Sequence, residues 1–138
     1  MALRLSKVFD RVVATTIGLV LVYYAYVKFA GQQFVRFEID GAVRDVHPVD
    51  LVWYFHGYSR PYAMFIALGE LVAGVALIIP RTARIGAPLA LGITTNIAVI
   101  DWSFGLALPV RLLATSLALG SLYLIVRERR AYLRLLDP

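Results

Sequence analysis

Four long apolar blocks joined by short polar connections dominate this sequence, and they restrict the fold more than any motif does. A helix of about 20 residues crosses the hydrocarbon core of a bilayer. The blocks at about 12–30, 61–79, 85–102 and 109–126 meet that length. In lipid every backbone amide must find its partner within the segment, so each block is expected to be a helix. Hydrophobic residues make up 60% of the chain and charged residues 17%, and the mean hydropathy is +0.74. Ordinary soluble domains are less apolar and more charged. Residues 1–138 are therefore read as a single membrane domain. The opening "MALRLSKVFDR" followed by "VVATTIGLVLVYYAYV" has the layout of a signal peptide. Its apolar stretch is long, however, ends in bulky aromatics, and carries Lys28 where small residues would mark cleavage. It is expected to remain as the first span.

Basic residues near span ends set orientation. Arg4, Lys7 and Arg11 precede the first block, Arg81 and Arg84 lie between the second and third, and Arg127, Arg129, Arg130 and Arg134 follow the fourth. These nine share one side, and Lys28, Arg36, Arg44, Arg60 and Arg111 fall on the other, offset by most of the acids. The expectation is a multi-pass protein of the bacterial inner membrane with both termini in the cytoplasm. The short connection "PRTAR" and the short one before Pro109 make consecutive helices antiparallel neighbours. The expected fold is all-α: an up-down-up-down four-transmembrane-helix bundle.

The longest connection, 31–60, is expected outside the cytoplasm. In "FVRFEIDGAVRDV", Val35, Phe37 and Ile39 alternate with Arg36, Glu38 and Asp40, and Asp40-Gly41 is a strong turn signal. A small β-hairpin is expected there. Beyond it, Pro48 is placed to open a short interfacial helix. Trp53, Tyr54, Phe55, Tyr58 and Tyr62 come next, residue types that mark the membrane–water interface. With Arg36 and Glu38, the aromatics Trp53, Tyr54, Phe55 and Tyr58 form an expected docking surface for a partner.

Much chemistry is excluded. The chain has no cysteine, which removes thiol catalysis, iron–sulfur clusters and zinc–thiolate sites. His47 and His56 share no carboxylate spacing that suggests a metal site, and each is read as exposed or lipid-facing. The net charge of +5 flanks apolar blocks, so it is assigned to orientation and to anionic lipid rather than nucleic acid. No G-x-S-x-G, P-loop or G-x-G-x-x-G is present.

One carboxylate, Glu70, lies about nine residues from either end of the second span. An ionised group there costs at least ~2.5 kcal/mol, so partners are expected. Lys28, Asn96, Asp101 and Arg111 all fall in the central and outer half of their spans. Lys28 is placed to snorkel outward or to bend toward Glu70 or Asp101. Arg111 is placed to pair with Asp101, and Asn96 to donate to Glu70. The cluster has three readings: polar glue between helices, the lining of a cavity for a headgroup, quinone or proton, or an interface to another membrane subunit. Gly69 and Ala73 are spaced for close approach of a neighbouring helix beside Glu70.

The order of "VKFAGQQF", "GYSRPYAMFIALGELVAGVALIIPRTARIGA", "TTNIAVIDW" and "LPVRLLATSLAL" resembles the DoxX-like family of small four-span bacterial membrane proteins. The resemblance runs from about Ile17 to Val126. It is carried by Gly18, Lys28 with Phe29, Glu70 with Gly74, Arg81 to Arg84, Asn96, and Pro109 to Arg111. It implies a four-helix bundle and a link to membrane redox chemistry, through subunits of quinol oxidases or thiosulfate:quinone oxidoreductases. The enlarged first connection departs from that pattern and looks like an added docking element. The leading expectation is an accessory subunit of a larger electron-transfer complex, respiratory or photosynthetic, with no covalent cofactor and no chemistry of its own. Its partners are then membrane lipids and other membrane protein subunits. The alternatives are a quinone-interacting redox component, with Glu70 and Asn96 on the headgroup, and a small transporter.

Overall fold

The computed structural model describes residues 2–34, 36, 38–39 and 41–134. Among them the chain runs through α1 (Ala2–Phe29), a 3₁₀ turn (Val43–Asp45), α2 (Pro48–Tyr58), α3 (Arg60–Ile78), α4 (Ala83–Ser103), α5 (Leu108–Arg127) and the short α6 (Arg129–Leu133). Helices α1, α3, α4 and α5 are long and apolar enough to cross a membrane. Their outward faces carry large hydrophobic side chains, among them Leu19, Phe65, Val99 and Leu119, each more than half exposed. Such a surface is a belt for lipid rather than for water. The chain is a multi-pass membrane protein.

Each boundary has a local cause. Ser59 accepts a hydrogen bond from the Tyr62 amide and Pro61 occupies the first turn, a strong start signal for α3. Pro80 lies just past its end, where the Thr82 hydroxyl donates to the Ala76 carbonyl at 2.9 Å. Pro88 lies inside α4 and has no amide to offer the carbonyl of Arg84, four residues back. The Tyr132 hydroxyl of α6 donates to that carbonyl at 2.6 Å. Partial burial and the Glu128 carboxylate raise the Tyr132 pKa, against the opposing pull of Arg84. Helix α1 begins well before Val12, because its polar first turns have partners. Asp10 accepts from the Tyr123 hydroxyl at 2.6 Å and from Arg127, Arg127 reaches Ser6, and Arg11 donates to the Leu77 carbonyl at 3.0 Å.

The core runs through Ala14, Ile17 and Leu21 of α1, Ala73 and Leu77 of α3, Ala87 and Ala90 of α4, and Leu117 and Leu124 of α5. Small residues let the backbones approach, as in other membrane helix pairs. One close approach joins α1 to α3. A Cβ on Gly18 would stand 2.7 Å from the Gly74 carbonyl oxygen, and a Cβ on Gly74 would stand 2.7 Å from that of Gly18. Gly86 plays the same part between α4 and the end of α3. The expected contact at Gly69 and Ala73 is thus displaced: Ala73 is buried in the core, whereas the nearest neighbour to a Cβ on Gly69 is Ile93 at 3.7 Å.

The expected β-hairpin finds no support, for no strand occurs among the described residues. Val35, Phe37 and Asp40 lie outside them. Gly41 does take the positive φ, +90°, that the turn signal implied. The chain beyond it does not return as a strand: Val43–Asp45 coil into a 3₁₀ turn and Pro48 opens α2. Only six residues separate Gly41 from Pro48, and an isolated two-stranded hairpin is marginal in any case. The expected short helix opened by Pro48 is present, with His47 at its N-cap accepting from the Val49 amide.

Candidate functional site

Lys28 is the penultimate residue of α1, and Glu70 lies in the middle of α3. The Lys28 ammonium donates to Glu70 Oε1 at 2.9 Å and Oε2 at 2.8 Å. The side chains are 3% and 1% exposed. Lys28 therefore bends inward rather than snorkelling. Because α1 stops there, α3 runs on past its end, and Gln33, Phe34 and α2 cover the space left above the pair.

That space is a cavity of about 410 Å³. Leu21, Tyr24 and Lys28 line it from α1, Glu70 with Tyr62 and Phe65 from α3, Gly92, Asn96 and Asp101 from α4, and Leu113 and Leu117 from α5. The covering segment supplies Gln33, Phe34, Trp53 and His56. The Phe34 ring stacks on His56 with centroids 4.7 Å apart and tilts against Trp53 at 5.6 Å. Lys28 Nζ lies 5.1 Å from the Phe34 ring centre and 5.3 Å from that of Tyr24, within cation–π range. Phe34 holds a φ of +60°, an uncommon left-handed conformation for an aromatic residue. Such a backbone costs on the order of 1–3 kcal/mol and persists where its surroundings fix it. Here the ring contacts do so. Tyr62, Phe65, Gly92 and Asn96 line the cavity yet remain exposed, as side chains around a mouth would.

The sequence-predicted residues divide. Lys28 and Glu70 meet. Asn96 lines the same cavity, but no hydrogen bond to Glu70 is formed. Asp101 also lines it, is 3% exposed, and leaves Oδ2 without a protein partner. The end of α4 that carries it is fixed by Gly105, at φ +70°, and by the Leu106 amide, which donates to the Asp101 carbonyl at 3.0 Å, a Schellman-type close. Arg111 does not pair with Asp101. Its guanidinium lies over the Trp102 ring at 4.8 Å, outside the cavity lining, and its Nε has no partner. The reason is the first turn of α5, which sets Arg111 beside Trp102, one residue beyond Asp101 and on a different face of α4.

The expected docking surface divides too. Trp53 turns into the cavity, whereas Phe55 and Tyr58 are 61% and 57% exposed, and Arg36 lies over the Tyr58 ring at 5.3 Å. Tyr54 packs near Tyr58, with ring centres 5.7 Å apart, and Glu38 is exposed. His56, read from sequence as exposed or lipid-facing, is instead half-buried in the cavity wall, its Nδ1 2.8 Å from the Val52 carbonyl oxygen. Sequence reasoning also passes over Tyr24, Gln33 and Phe34. The available signal for Tyr24 is its position one helical turn before Lys28. Among the described residues no group of three histidine or acidic side chains is placed to hold a metal ion.

No family model matches the chain, and no solved structure matches it. Over 136 aligned residues it is 35% identical to the uncharacterized protein YwoB of Bacillus subtilis (strain 168), an alignment that covers 94% of this chain and 86% of that protein. The chain belongs to the same family as YwoB.

Proposed function

We propose that this protein is a quinone-interacting component of a bacterial membrane electron-transfer system, holding the ring headgroup in the cavity above the Lys28–Glu70 pair. The observation that carries this reading is the cavity itself: about 410 Å³, walled by aromatic and aliphatic side chains, with a few convergent polar groups. Ligand sites of that size and composition are the rule for small amphiphiles. The Lys28 ammonium has three protons, two of which are given to Glu70. The third is available to a ring carbonyl, as is the Asn96 amide. The exposed lining residues Tyr62, Phe65, Gly92 and Asn96 support access from the lipid, where quinones reside. The resemblance to DoxX-like proteins supports the redox setting. In this reading the helices form an up-down-up-down bundle in the cytoplasmic membrane with both termini in the cytoplasm. The flanking arginines and the pairing of Lys28 with Glu70, and of Arg127 with Asp10, support that arrangement.

The test is equilibrium binding of a short-chain benzoquinone to the protein in nanodiscs. Asn96→Ala and Trp53→Ala should each weaken binding about tenfold, the value of one good contact. Binding unchanged in both variants would contradict the assignment.

A second reading, the accessory subunit, is favoured by the exposed ledge of Phe55 and Tyr58 on α2, with Arg36 lying over the Tyr58 ring. It predicts that a larger membrane protein co-purifies after mild solubilisation and is lost when both aromatics are replaced by serine.

A further inference from the structure

We infer that Asp101 is the ligand-recognising carboxylate of this cavity, and that it selects a ring bearing hydroxyl donors, a hydroquinone, over the dicarbonyl form. The inference rests on the quinone reading above and adds the state of the ring that the site prefers. Four polar groups of the lining are already committed or indifferent. Lys28 and Glu70 pair with each other, and the remaining Lys28 proton is met by a ring oxygen of either form. Gln33 Oε1 has no partner, but an amide offers a donor or an acceptor by turning over. His56 is engaged with the Val52 carbonyl.

Asp101 differs from all of these. It is buried, it lines the cavity, and among the described residues its side chain makes no hydrogen bond or ion pair. Arg111, the nearest arginine in sequence, is held over Trp102. The Schellman close at Gly105 and Leu106 fixes the end of the helix that carries Asp101 at the cavity wall. An ionised carboxylate only accepts hydrogen bonds, whereas the neutral acid donates one and still keeps an accepting oxygen. A buried acceptor left unmade is costly, and hydrogen bonds to a charged group are the strong ones. The complementary ligand atom is therefore an O–H. A quinone ring presents two carbonyl oxygens and no donor, so it meets the ionised carboxylate acceptor to acceptor and leaves the accepting oxygen of the neutral acid unpaired. The hydroquinone presents two hydroxyls on the same skeleton. Specificity of this kind, one polar group left unpaired by the wrong ligand, exceeds what a methylene-sized fit can supply.

The experiment compares three ligands of one shape under anaerobic conditions: decylhydroquinone, decylbenzoquinone, and the hydroquinone's dimethyl ether, which keeps the skeleton and lacks the donors. Calorimetry on the full chain in nanodiscs should give binding at least about tenfold tighter for the hydroquinone than for the other two. In Asp101→Leu the preference should vanish, through loss of hydroquinone affinity alone. The wild-type series stands by itself if that variant fails to fold. Equal affinity for all three ligands, or tighter binding of the benzoquinone, overturns the inference and leaves the cavity reading intact. Failure of all three ligands to bind overturns both.

Discussion

The Lys28 ammonium bridges both oxygens of the Glu70 carboxylate, at 2.9 and 2.8 Å, with neither side chain more than 3% exposed. This contact joins the end of α1 to the middle of α3 and leaves no net charge between them. Breaking such a pair from one side strands the other charge, which costs about 3–5 kcal/mol. Glu70→Leu and Lys28→Leu should each lower the thermal midpoint sharply. The double leucine variant should recover most of the loss, because an apolar pair of similar volume is often no worse than the buried ions. Thermal unfolding of the three variants checks this, and a double variant as unstable as the singles would show that the pair is more than a neutralised contact.

Glycine substitutions should separate packing from open space. Gly74→Ala drives a Cβ against the Gly18 carbonyl oxygen and Val22 and should destabilise by about 1–3 kcal/mol. Gly92→Ala meets nothing within 4 Å. In a helix interior it should be neutral or stabilising by up to about 1 kcal/mol. Midpoints measured side by side in one detergent decide the matter.

At the end where α1 and α5 meet, Asp10 accepts from Tyr123 and Arg127. Tyr123→Phe removes one of these bonds while keeping the edge-on contact with Phe9. The expected loss is about 1 kcal/mol. Asp10→Ala removes the shared acceptor and should cost more than Tyr123→Phe in the same unfolding assay.

Orientation is open to a direct assay. A reporter active only in the cytoplasm should be active when fused after Arg134, and inactive when inserted at Gly41, in the connection between α1 and α2. The opposite pattern would reverse the assignment of sides.

The spans were legible because hydropathy over about 20 residues integrates many weak signals: α3, α4 and α5 begin and end within two residues of the expected limits. Glu70 was legible because its cost in lipid demands an explanation, and Lys28 because it is the one lysine at the right end of α1. The connection between α1 and α2 was not. Alternation in "FVRFEIDG" is a local signal, and here the winning interactions are tertiary: Phe34 against His56 and Trp53, over Lys28. The failure of Arg111 to meet Asp101 has the same origin. Sequence places both at the same depth, but the face each occupies depends on how α4 turns into α5 at Gly105.

The most direct test of the central claim, that a ligand occupies the cavity above Lys28 and Glu70, is native mass spectrometry of protein gently extracted from its own membranes. Gly92 lines the cavity and has open space before it, so Gly92→Phe should fill the site from one wall. A bound species of quinone mass is expected on the wild-type protein and is expected to be lost from a folded Gly92→Phe variant. A wild-type protein carrying no such species, or a Gly92→Phe variant retaining it in full, would contradict the account.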